Sequence, residues 1–312
     1  LLKIVEYFWQ IILTPLHYTI KYNAVNVYQN PVEKALWQFL IKPMSNQDQQ
    51  LDHQSFTNSL GSPVENSING YGFDTYRINV PQKFNTIEFN AEFRLYKEIV
   101  DPFANLEFMD IEKEQYELSK TDFKIDNERF LVFTKLTQLP ANHGLDFAMD
   151  TSLSIFDNLL RLNTWIFEKF TFKPKVTDVS TSLDKIIDQK MGVCQDFTHL
   201  FCALARANNI PARYVSGYLH QGNGYFGDSQ MHAWVECNLP GNGWMGFDPT
   251  NNLIAAENHI KVAHGKDYSD CPPIKGLVFS QGEHTTEYTV EVTGQQRRQE
   301  HFHEMQQSQQ QQ

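Results

Sequence analysis

The hydrophobic residues of this chain recur with two different periods, and the change between them is the strongest constraint on the fold. Apolar and polar residues alternate over residues 87–95, and the same alternation occurs over residues 35–41. A period of two is typical of half-buried β-strands. From Asp150 the apolar residues recur at helical spacing instead, at Ile155, Leu159, Leu162, Ile166 and Phe170. The chain is therefore predicted to be an α+β protein with a β-rich first part.

The first part is predicted to be an antiparallel β-sandwich-like domain over residues 16–103. Residues 17–27 and 72–80 are also strand-like in composition. Asn69-Gly70 and Gly61-Ser62-Pro63 supply turn chemistry between these strands. Residues 104–149 carry mixed signals, and we predict that they link the two domains while packing on the second.

The second domain is predicted over residues 150–293 as helices followed by an antiparallel sheet. Ser154 or Thr151 is a suitable N-cap for the first helix. Two further helices are expected, one from Ser182 to Gly192 and one from Cys194 to the Asn208 region. The strand-like segments that follow are 213–219, 231–237, 244–247, 277–279 and 285–292, and the glycine-rich residues 222–227 resemble a hairpin tip.

The two ends of the sequence differ from the body in composition. Residues 1–15 are apolar and aromatic, and they are predicted to form an amphipathic leader helix on the body, with a targeting remnant as the alternative. The stretch is too short and too interrupted for a membrane span and lacks a signal-peptide cleavage pattern. Residues 294–312 are rich in Gln and are predicted to be disordered, with His301 and His303 as no more than adventitious metal ligands.

Charge and cysteine content exclude several function classes. The chain of 312 residues has 26 Lys and Arg against 37 Asp and Glu, a net charge of −11, without a basic run. Nucleic-acid binding needs clustered cations and is not expected. The four cysteines are scattered without a CxxC pair, so a disulfide framework is not expected, and a cytoplasmic location is predicted. We predict no cofactor and no membrane partner.

Cys194 stands where a nucleophile would be favoured. Gly192 breaks the preceding helix, and Cys194 opens the next one. The free backbone N–H groups and the positive dipole end of a helix N-terminus stabilise a thiolate. The same N–H groups can hold an oxyanion that forms beside the sulfur. A buried structural cysteine is the alternative for this residue alone.

His232 and Asp248 are candidates for the base and the acid that a thiol nucleophile requires. His232 opens one strand-like segment, and Asp248 closes the next, with a short loop at residues 240–243 between them. Antiparallel pairing would bring the two side chains to one edge of the sheet. Singly, the histidine is explained as a strand surface residue and the aspartate as a turn cap. Their joint order and type predict a Cys-His-Asp triad.

Four motifs in order carry a resemblance to a known family. They are Gly192-Val193-Cys194-Gln195-Asp196-Phe197, residues 210–219 (IPARYVSGYL), His232-Ala233-Trp234-Val235-Glu236 and Phe247-Asp248-Pro249-Thr250-Asn251. Together they resemble the transglutaminase-like superfamily, most closely its bacterial branch of transglutaminase-like cysteine proteases. The resemblance implies a papain-like catalytic fold with Cys194, His232 and Asp248 as nucleophile, base and orienting acid. Residues 264–268 resemble a Gly-Arg-Asp-Tyr motif of the family, with Lys266 where arginine is usual.

Other residues of these motifs are weaker candidates. Gln195 is a candidate oxyanion donor, and Tyr218, Trp234 and Asp267 are candidates for the rim or wall of a substrate groove. Asp196 fits a helix cap better than a catalytic role. His199 is the main rival base, with helix packing as its alternative. A zinc site from Cys194, His199 and Cys237 is disfavoured because no ligand spacing supports it.

The reaction that this triad predicts is acyl transfer through a thioester. Hydrolysis of peptide or protein amide bonds is the first expectation. Crosslinking or deamidation at glutamine is the second, and a non-catalytic binding module is the third. The residues do not define the acceptor or the oligomeric state.

Overall fold

The computed structural model describes residues 15–99, 101–103, 106–107, 109–220 and 230–294. The predicted leader apart from Pro15, the tail after Gly294 and the hairpin tip at 222–227 lie outside the described residues. The strands are β1 (Leu16–Val32), β2 (Lys34–Phe39), β3 (Gln49–Asn58), β4 (Val64–Ile68), β5 (Asp74–Val80), β6 (Phe84–Lys97), β7 (Thr171–Phe172), β8 (Met191–Gly192), β9 (Ala212–Leu219), β10 (His232–Leu239), β11 (Gly243–Asp248), β12 (Leu253–Ile254), β13 (His259–Gly265), β14 (Ile274–Phe279) and β15 (His284–Gly294). The helices are α1 (Ile111–Ser119), α2 (Thr121–Asp126), α3 (Ile155–Lys169), α4 (Leu183–Gln189) and α5 (Cys194–Ala207), with 3₁₀ turns at Glu128–Phe130 and Tyr268–Asp270.

The N-terminal strands form two antiparallel sheets that pack face to face. One sheet has the order β15-β1-β6-β3 and the other the order β14-β2-β5-β4. The alternation in β6 places Phe89 inside, where its ring lies 4.7 Å from that of Phe39 and 5.2 Å from that of Trp37 on the opposite sheet. Such offset aromatic contacts add to the burial of apolar area that holds two sheets together.

The last two strands pair differently from the sequence expectation. Residues 277–279 and 285–292 are strands, as predicted, but β14 pairs with β2 and β15 pairs with β1. The predicted domain limits of 16–103 and 150–293 therefore do not match the strand pairing, because the sandwich takes its outer strands from residues 274–294. Alternation in a sequence identifies a strand but carries no information about which sheet it joins.

The sheet of the second predicted domain is separate from the two sandwich sheets. It has the order β12-β11-β10-β9-β13, and all of its strands are antiparallel. Helices α3 and α5 cover one of its faces, where Phe201 of α5 and Phe247 of β11 stack at 5.6 Å between ring centroids. The hydroxyl of Ser154 accepts a hydrogen bond from the backbone N–H of Asp157 and caps α3, as predicted. The α+β class and the predicted helix starts agree with this arrangement.

Residues 104–149, predicted as a linker that packs on the second domain, contain α1 and α2. Leu118, Leu139 and Leu145 pack into the apolar core around α3 and α5. The buried carboxylate of Glu114 accepts a hydrogen bond of 2.8 Å from the backbone N–H of Ile155 at the start of α3. A carboxylate at a helix N-terminus satisfies a free donor and the helix dipole together.

Arg206, near the end of α5, ties distant segments to this core. Its buried guanidinium donates to the carbonyl oxygens of Phe130, Val132, Ala212 and Lys266 and to the hydroxyl of Thr137 at 2.6 to 3.1 Å. The planar, fork-shaped group of donors suits several fixed acceptors at once. These bonds hold three segments to helix α5, namely the 3₁₀ turn at Glu128–Phe130, the start of β9 and the residue that follows β13.

The sandwich and the sheet of the second predicted domain share one continuous apolar core. The hydroxyl of Tyr218 on β9 donates to the carbonyl of Ile41 at 2.6 Å, and the Gln49 side chain donates to the carbonyl of Lys261 at 2.9 Å. Such buried polar contacts fix the two parts in one register.

Two negative findings concern the described ranges. None of their helices is long and apolar enough to cross a membrane. All four cysteines fall within these ranges, and each is a free thiol. The cytoplasmic location stays a prediction.

Candidate active site

Cys194 occupies the first position of α5 and is half-buried. The preceding Val193 has extended backbone geometry and serves as the N-cap, so the helix begins at the thiol, as predicted. The positive end of the helix dipole therefore lies at the Cys194 sulfur, where it favours a thiolate.

Asp196 fixes this helix start. Its carboxylate accepts from the backbone N–H of Val193 at 2.8 Å and from the Thr177 hydroxyl at 2.7 Å. Burial raises the pKa of Asp196, and the two hydrogen bonds act against that rise. A Cβ at position 192 would lie 2.7 Å from the Asp196 Oδ2, so the turn before the thiol needs Gly192. These contacts fit the cap role expected of Asp196.

His232 and Asp248 lie side by side at the ends of paired strands. The antiparallel register sets Val235 opposite Phe247, so the start of β10 and the end of β11 lie at the same edge of the sheet. The His232 Nε2–H donates to Asp248 Oδ2 at 2.8 Å, and neither side chain is exposed to solvent. The strand and loop pattern of the sequence therefore placed this pair correctly.

The charges of this pair stabilise one another. Burial disfavours the imidazolium of His232, but the Asp248 carboxylate and, after it, the Cys194 side chain together outweigh burial and raise the pKa of His232 from 6.5 to about 10. Burial by itself would raise the pKa of Asp248, yet His232 holds it well below the usual range. Both shifts describe one attraction, a protonated imidazole against an ionised carboxylate.

The second ring nitrogen of His232 is the one left for Cys194. Nδ1 is buried and has no hydrogen-bond partner of good geometry in the described part of the chain. The Cys194 side chain lies near enough to contribute to the raised pKa of His232. The structure thus brings Cys194, His232 and Asp248 into one chain of neighbours.

The weaker candidates have different surroundings. Trp234 is buried beside the rings of His232 and His259, at centroid distances of 6.3 and 5.2 Å. Tyr218 is fully buried and its hydroxyl donates to the Ile41 carbonyl, so it does not lie at an exposed rim of a groove. Asp267 is buried and caps the 3₁₀ turn by accepting from the Ser269 N–H at 2.7 Å. Gln195 is half-buried beside Cys194 in the first turn of α5.

His199, the rival base, has a structural partner. Its Nε2 accepts from the backbone N–H of Tyr268 at 3.2 Å, which leaves that nitrogen without a proton. Burial lowers the pKa of His199 to about 4. A neutral histidine engaged by the backbone is poorly suited to take a proton from Cys194.

Two tyrosines lie close enough to the Cys194 thiol to respond to its charge. Burial raises the pKa of Tyr288 to about 12, and the charge of Cys194 adds to the rise. Tyr214 on β9 has its pKa raised by burial first and then by Cys194 in the same way. Tyr288 belongs to β15 and stacks on Tyr22 of β1, with 6.4 Å between ring centroids. The sandwich therefore supplies part of the surroundings of Cys194.

His259 is a site residue that the sequence reasoning missed. Its Nε2 lies 3.1 Å from Asp248 Oδ2, the same oxygen that accepts from His232. The side-chain nitrogen and oxygen atoms of His232, Asp248 and His259 lie within 4.8 Å of one another. The Asp248 oxygen lies 2.8 Å from the His232 nitrogen and 3.1 Å from the His259 nitrogen. Both are hydrogen-bond distances, so hydrogen bonds account for this cluster. No local signal marks His259, because its strand reaches the site only through its pairing with β9.

Comparison with known proteins identifies the domain that carries this site. Residues 147–249 match the family model described as the transglutaminase-like superfamily, and the match contains Cys194, His232 and Asp248. This stretch is a transglutaminase-like domain. The family resemblance predicted from the four motifs is thereby confirmed.

Relatives of the transglutaminase-like domain occur in several bacteria. An uncharacterised protein of Mycobacterium leprae is 38% identical over 133 residues, which are 41% of this chain and 47% of that protein. The chain spans less than half the length of the mycobacterial relatives it matches. A protein-glutamine gamma-glutamyltransferase of Pseudomonas aeruginosa is 36% identical over 87 residues, 26% of this chain and 13% of that protein.

The fold also has a solved counterpart. A crystal structure from Cytophaga hutchinsonii, described in print as "a Putative Cysteine Protease", superposes with a TM-score of 0.71. It covers 91% of this chain and 92% of its own, at 21% sequence identity. Sandwich and transglutaminase-like domain therefore recur together as one fold.

Proposed function

We propose that this protein is a cysteine-nucleophile enzyme that acts on amide bonds of peptides or proteins. Cys194 is the nucleophile, His232 the base and Asp248 the acid that orients the base. The observation that carries the proposal is the buried hydrogen bond of 2.8 Å between His232 and Asp248, with Cys194 beside the imidazole at a helix start. Nucleophile, base and orienting group in this order are the requirements for covalent acyl transfer.

The reaction begins with the thiol proton on His232 Nδ1, which leaves a Cys194 thiolate beside an imidazolium. The sulfur attacks the amide carbon, and the carbonyl oxygen takes the negative charge. Free N–H groups at the start of α5, with the Gln195 side chain near them, are suited to hold that oxyanion. His232 then returns the proton to the departing nitrogen, the C–N bond breaks, and a thioester remains on Cys194.

The thioester has two chemical fates. Attack by water releases an acid and completes hydrolysis, the first choice. Attack by a primary amine gives a new amide, and the Pseudomonas glutamyltransferase relative supports this as the second choice. The resemblance to the Cytophaga structure supports the fold alone, because the sequence identity is low. It therefore favours neither hydrolysis nor amine transfer.

The sandwich contributes to substrate contact in this proposal. Tyr288 is 37% exposed and lies close enough to Cys194 for the thiolate charge to act on it. A partly exposed tyrosine beside a nucleophile offers apolar area and one hydroxyl to an extended peptide. In this proposal Tyr288 of the outer strand β15 contacts the substrate beside Cys194.

A test of the reaction incubates the protein with glutamine-containing peptides and a labelled primary amine. Peptide fragments without label are expected for a hydrolase, and labelled peptide would replace that assignment with the transferase. Cys194→Ala should abolish either product. Cys202→Ala is the matched control because Cys202 lies buried on the same helix and should retain activity.

A second test separates an enzyme from a non-catalytic binding module. The rate of iodoacetamide alkylation at Cys194 is followed against pH, by mass spectrometry of the modified peptide. An activated thiol should lose rate strongly in His232→Ala near neutral pH. An alkylation profile that is identical with and without His232 would support the binding module instead.

A further inference from the structure

The Asp248 carboxylate serves two histidines at once. Oδ2 accepts from His232 Nε2 at 2.8 Å, from the Asn251 side chain at 2.9 Å and from His259 Nε2 at 3.1 Å. Oδ1 accepts from the backbone N–H of Thr250 at 3.0 Å. An orienting acid in a triad needs one bond to its histidine, so the second imidazole calls for a separate explanation.

The proton on His259 is placed by its partner. An ionised carboxylate only accepts, so His259 must carry its proton on Nε2. Its Nδ1 is buried and has no hydrogen-bond partner in the part of the chain that the structure describes. Burial lowers the pKa of His259, so the ring is neutral beside Asp248. It therefore gives the carboxylate a hydrogen bond without a second positive charge.

The turn that carries His259 is held by the sandwich. The Lys97 ammonium of β6 donates to the backbone carbonyls of His259 and, at 2.7 Å, of Ala256. The Tyr18 hydroxyl of β1 lies 3.4 Å from the Asn258 side-chain oxygen. The ring itself packs edge-on against Trp234 at 5.2 Å. The charged and titratable groups that act on His259 are Asp248, His232 and Lys97.

We propose that His259 is a positioning residue that shares the Asp248 carboxylate with His232, fixes the orientation of Oδ2 and draws part of its negative charge away from His232. The proposal rests on the proposed function of the triad. A weaker pull on the imidazolium matters because His232 must return its proton to the leaving nitrogen. Proton transfer is most efficient when the pKa of the acid stays near the working pH.

The replacements His259→Phe and His259→Gln separate this role from packing. Phe keeps a ring and removes the donor, whereas the Gln side-chain amide keeps an N–H donor. His259→Leu gives the same information as Phe should the larger ring prevent folding. His264→Gln is the matched control, because His264 lies on the same strand without contact to Asp248. Thermal unfolding of each variant establishes that it is folded.

The main readout is the alkaline limb of Cys194 alkylation by iodoacetamide, which reports loss of the His232 proton. In His259→Phe this limb should move up by about one pH unit, since His232 is then the one histidine that donates to Asp248. It should stay in place in His259→Gln and His264→Gln. On a cleaved substrate, kcat should fall roughly tenfold in His259→Phe with KM unchanged.

The outcomes distinguish this inference from the proposed function. A wild-type alkylation profile without any dependence on His232 would overturn the proposed function itself. A normal wild-type profile with an alkaline limb that stays or falls in His259→Phe would overturn only the role of His259. An equal upward movement in His264→Gln would also overturn it, because that residue does not touch the carboxylate.

Discussion

Replacement of Asp248 by asparagine should change how the stability of the protein depends on pH. Against the opposing effect of burial, the Asp248 carboxylate and, to a lesser extent, the Cys194 side chain raise the pKa of His232 from 6.5 to about 10 in the folded chain. In the unfolded chain the imidazole titrates near its ordinary value. At about 1.36 kcal/mol per pKa unit, the shift stabilises the folded state by about 5 kcal/mol.

The sign follows from proton uptake. The folded protein holds the His232 proton between pH 6.5 and 10, where the unfolded chain has lost it. The contribution is therefore complete below pH 6.5, falls by ~1.4 kcal/mol per pH unit above it, and is gone above about pH 10. The amide that replaces the carboxylate in Asp248→Asn carries no charge, so burial keeps His232 neutral in this variant over the same range.

The assay is urea unfolding at several pH values between about 6 and 10, followed by tryptophan fluorescence. In the difference in unfolding free energy between wild type and Asp248→Asn, the contributions of titratable groups common to both proteins cancel. It should shrink by about 5 kcal/mol across the range. Asp270→Asn is the control, since Asp270 is a buried carboxylate that accepts from Tyr71 at 2.6 Å without a histidine partner. Parallel stability curves for wild type and Asp248→Asn would refute the charged pair.

Three further predictions test other parts of the structure. Arg206→Met should lower the free energy of unfolding by roughly 3 to 5 kcal/mol, measured by urea unfolding, because several buried acceptors lose their donor. Gly192→Ala should slow Cys194 alkylation, since its Cβ would displace the Asp196 carboxylate that caps α5. Glu236→Gln should cost about 3 kcal/mol at neutral pH, because the partners of Glu236 outweigh burial and lower its pKa from 4.5 to about 2; unfolding curves at low pH should show the cost vanish as pH falls through 2.

Controls for these predictions come from the same chain. Gly70→Ala adds a Cβ that meets nothing within 4 Å and should leave alkylation unchanged. Glu33→Gln removes the exposed partner of Lys83 and should change the free energy of unfolding by no more than a few tenths of a kcal/mol. Equal effects at Glu33 and Glu236 would show that burial of the Glu236 cluster has no energetic weight.

The elements around the site were predictable because each has a local signal. The glycine before Cys194 marks a helix start, and the loop at residues 240–243 fixes which strand ends meet. The types of α3, α5, β9 and β10, and their bounds to within two residues, follow from hydrophobic period and from the residues that flank each element. Such signals are properties of neighbouring residues, which is why they survive without a structure.

The remaining features depend on contacts between distant parts of the chain. His259 reaches Asp248 only because β13 pairs with β9 on the far side of β10 from β11. By sequence, Tyr218 is a candidate for the rim of a substrate groove, yet its hydroxyl donates a hydrogen bond to the carbonyl of Ile41, which lies 177 positions earlier. The sheet membership of β15 is likewise set by its pairing with β1, which no local pattern encodes.

The pairing of β15 with β1 has a consequence for synthesis of the chain on the ribosome. β1 is made well before its outer neighbour, which is complete only when residue 294 has been added. Throughout translation of the transglutaminase-like domain, one edge of β1 stays open to solvent or to a chaperone. The strand that arrives last also delivers Tyr288 to the surroundings of Cys194. Closure of the sandwich and the arrival of Tyr288 beside Cys194 are therefore one late event in the synthesis of the described chain.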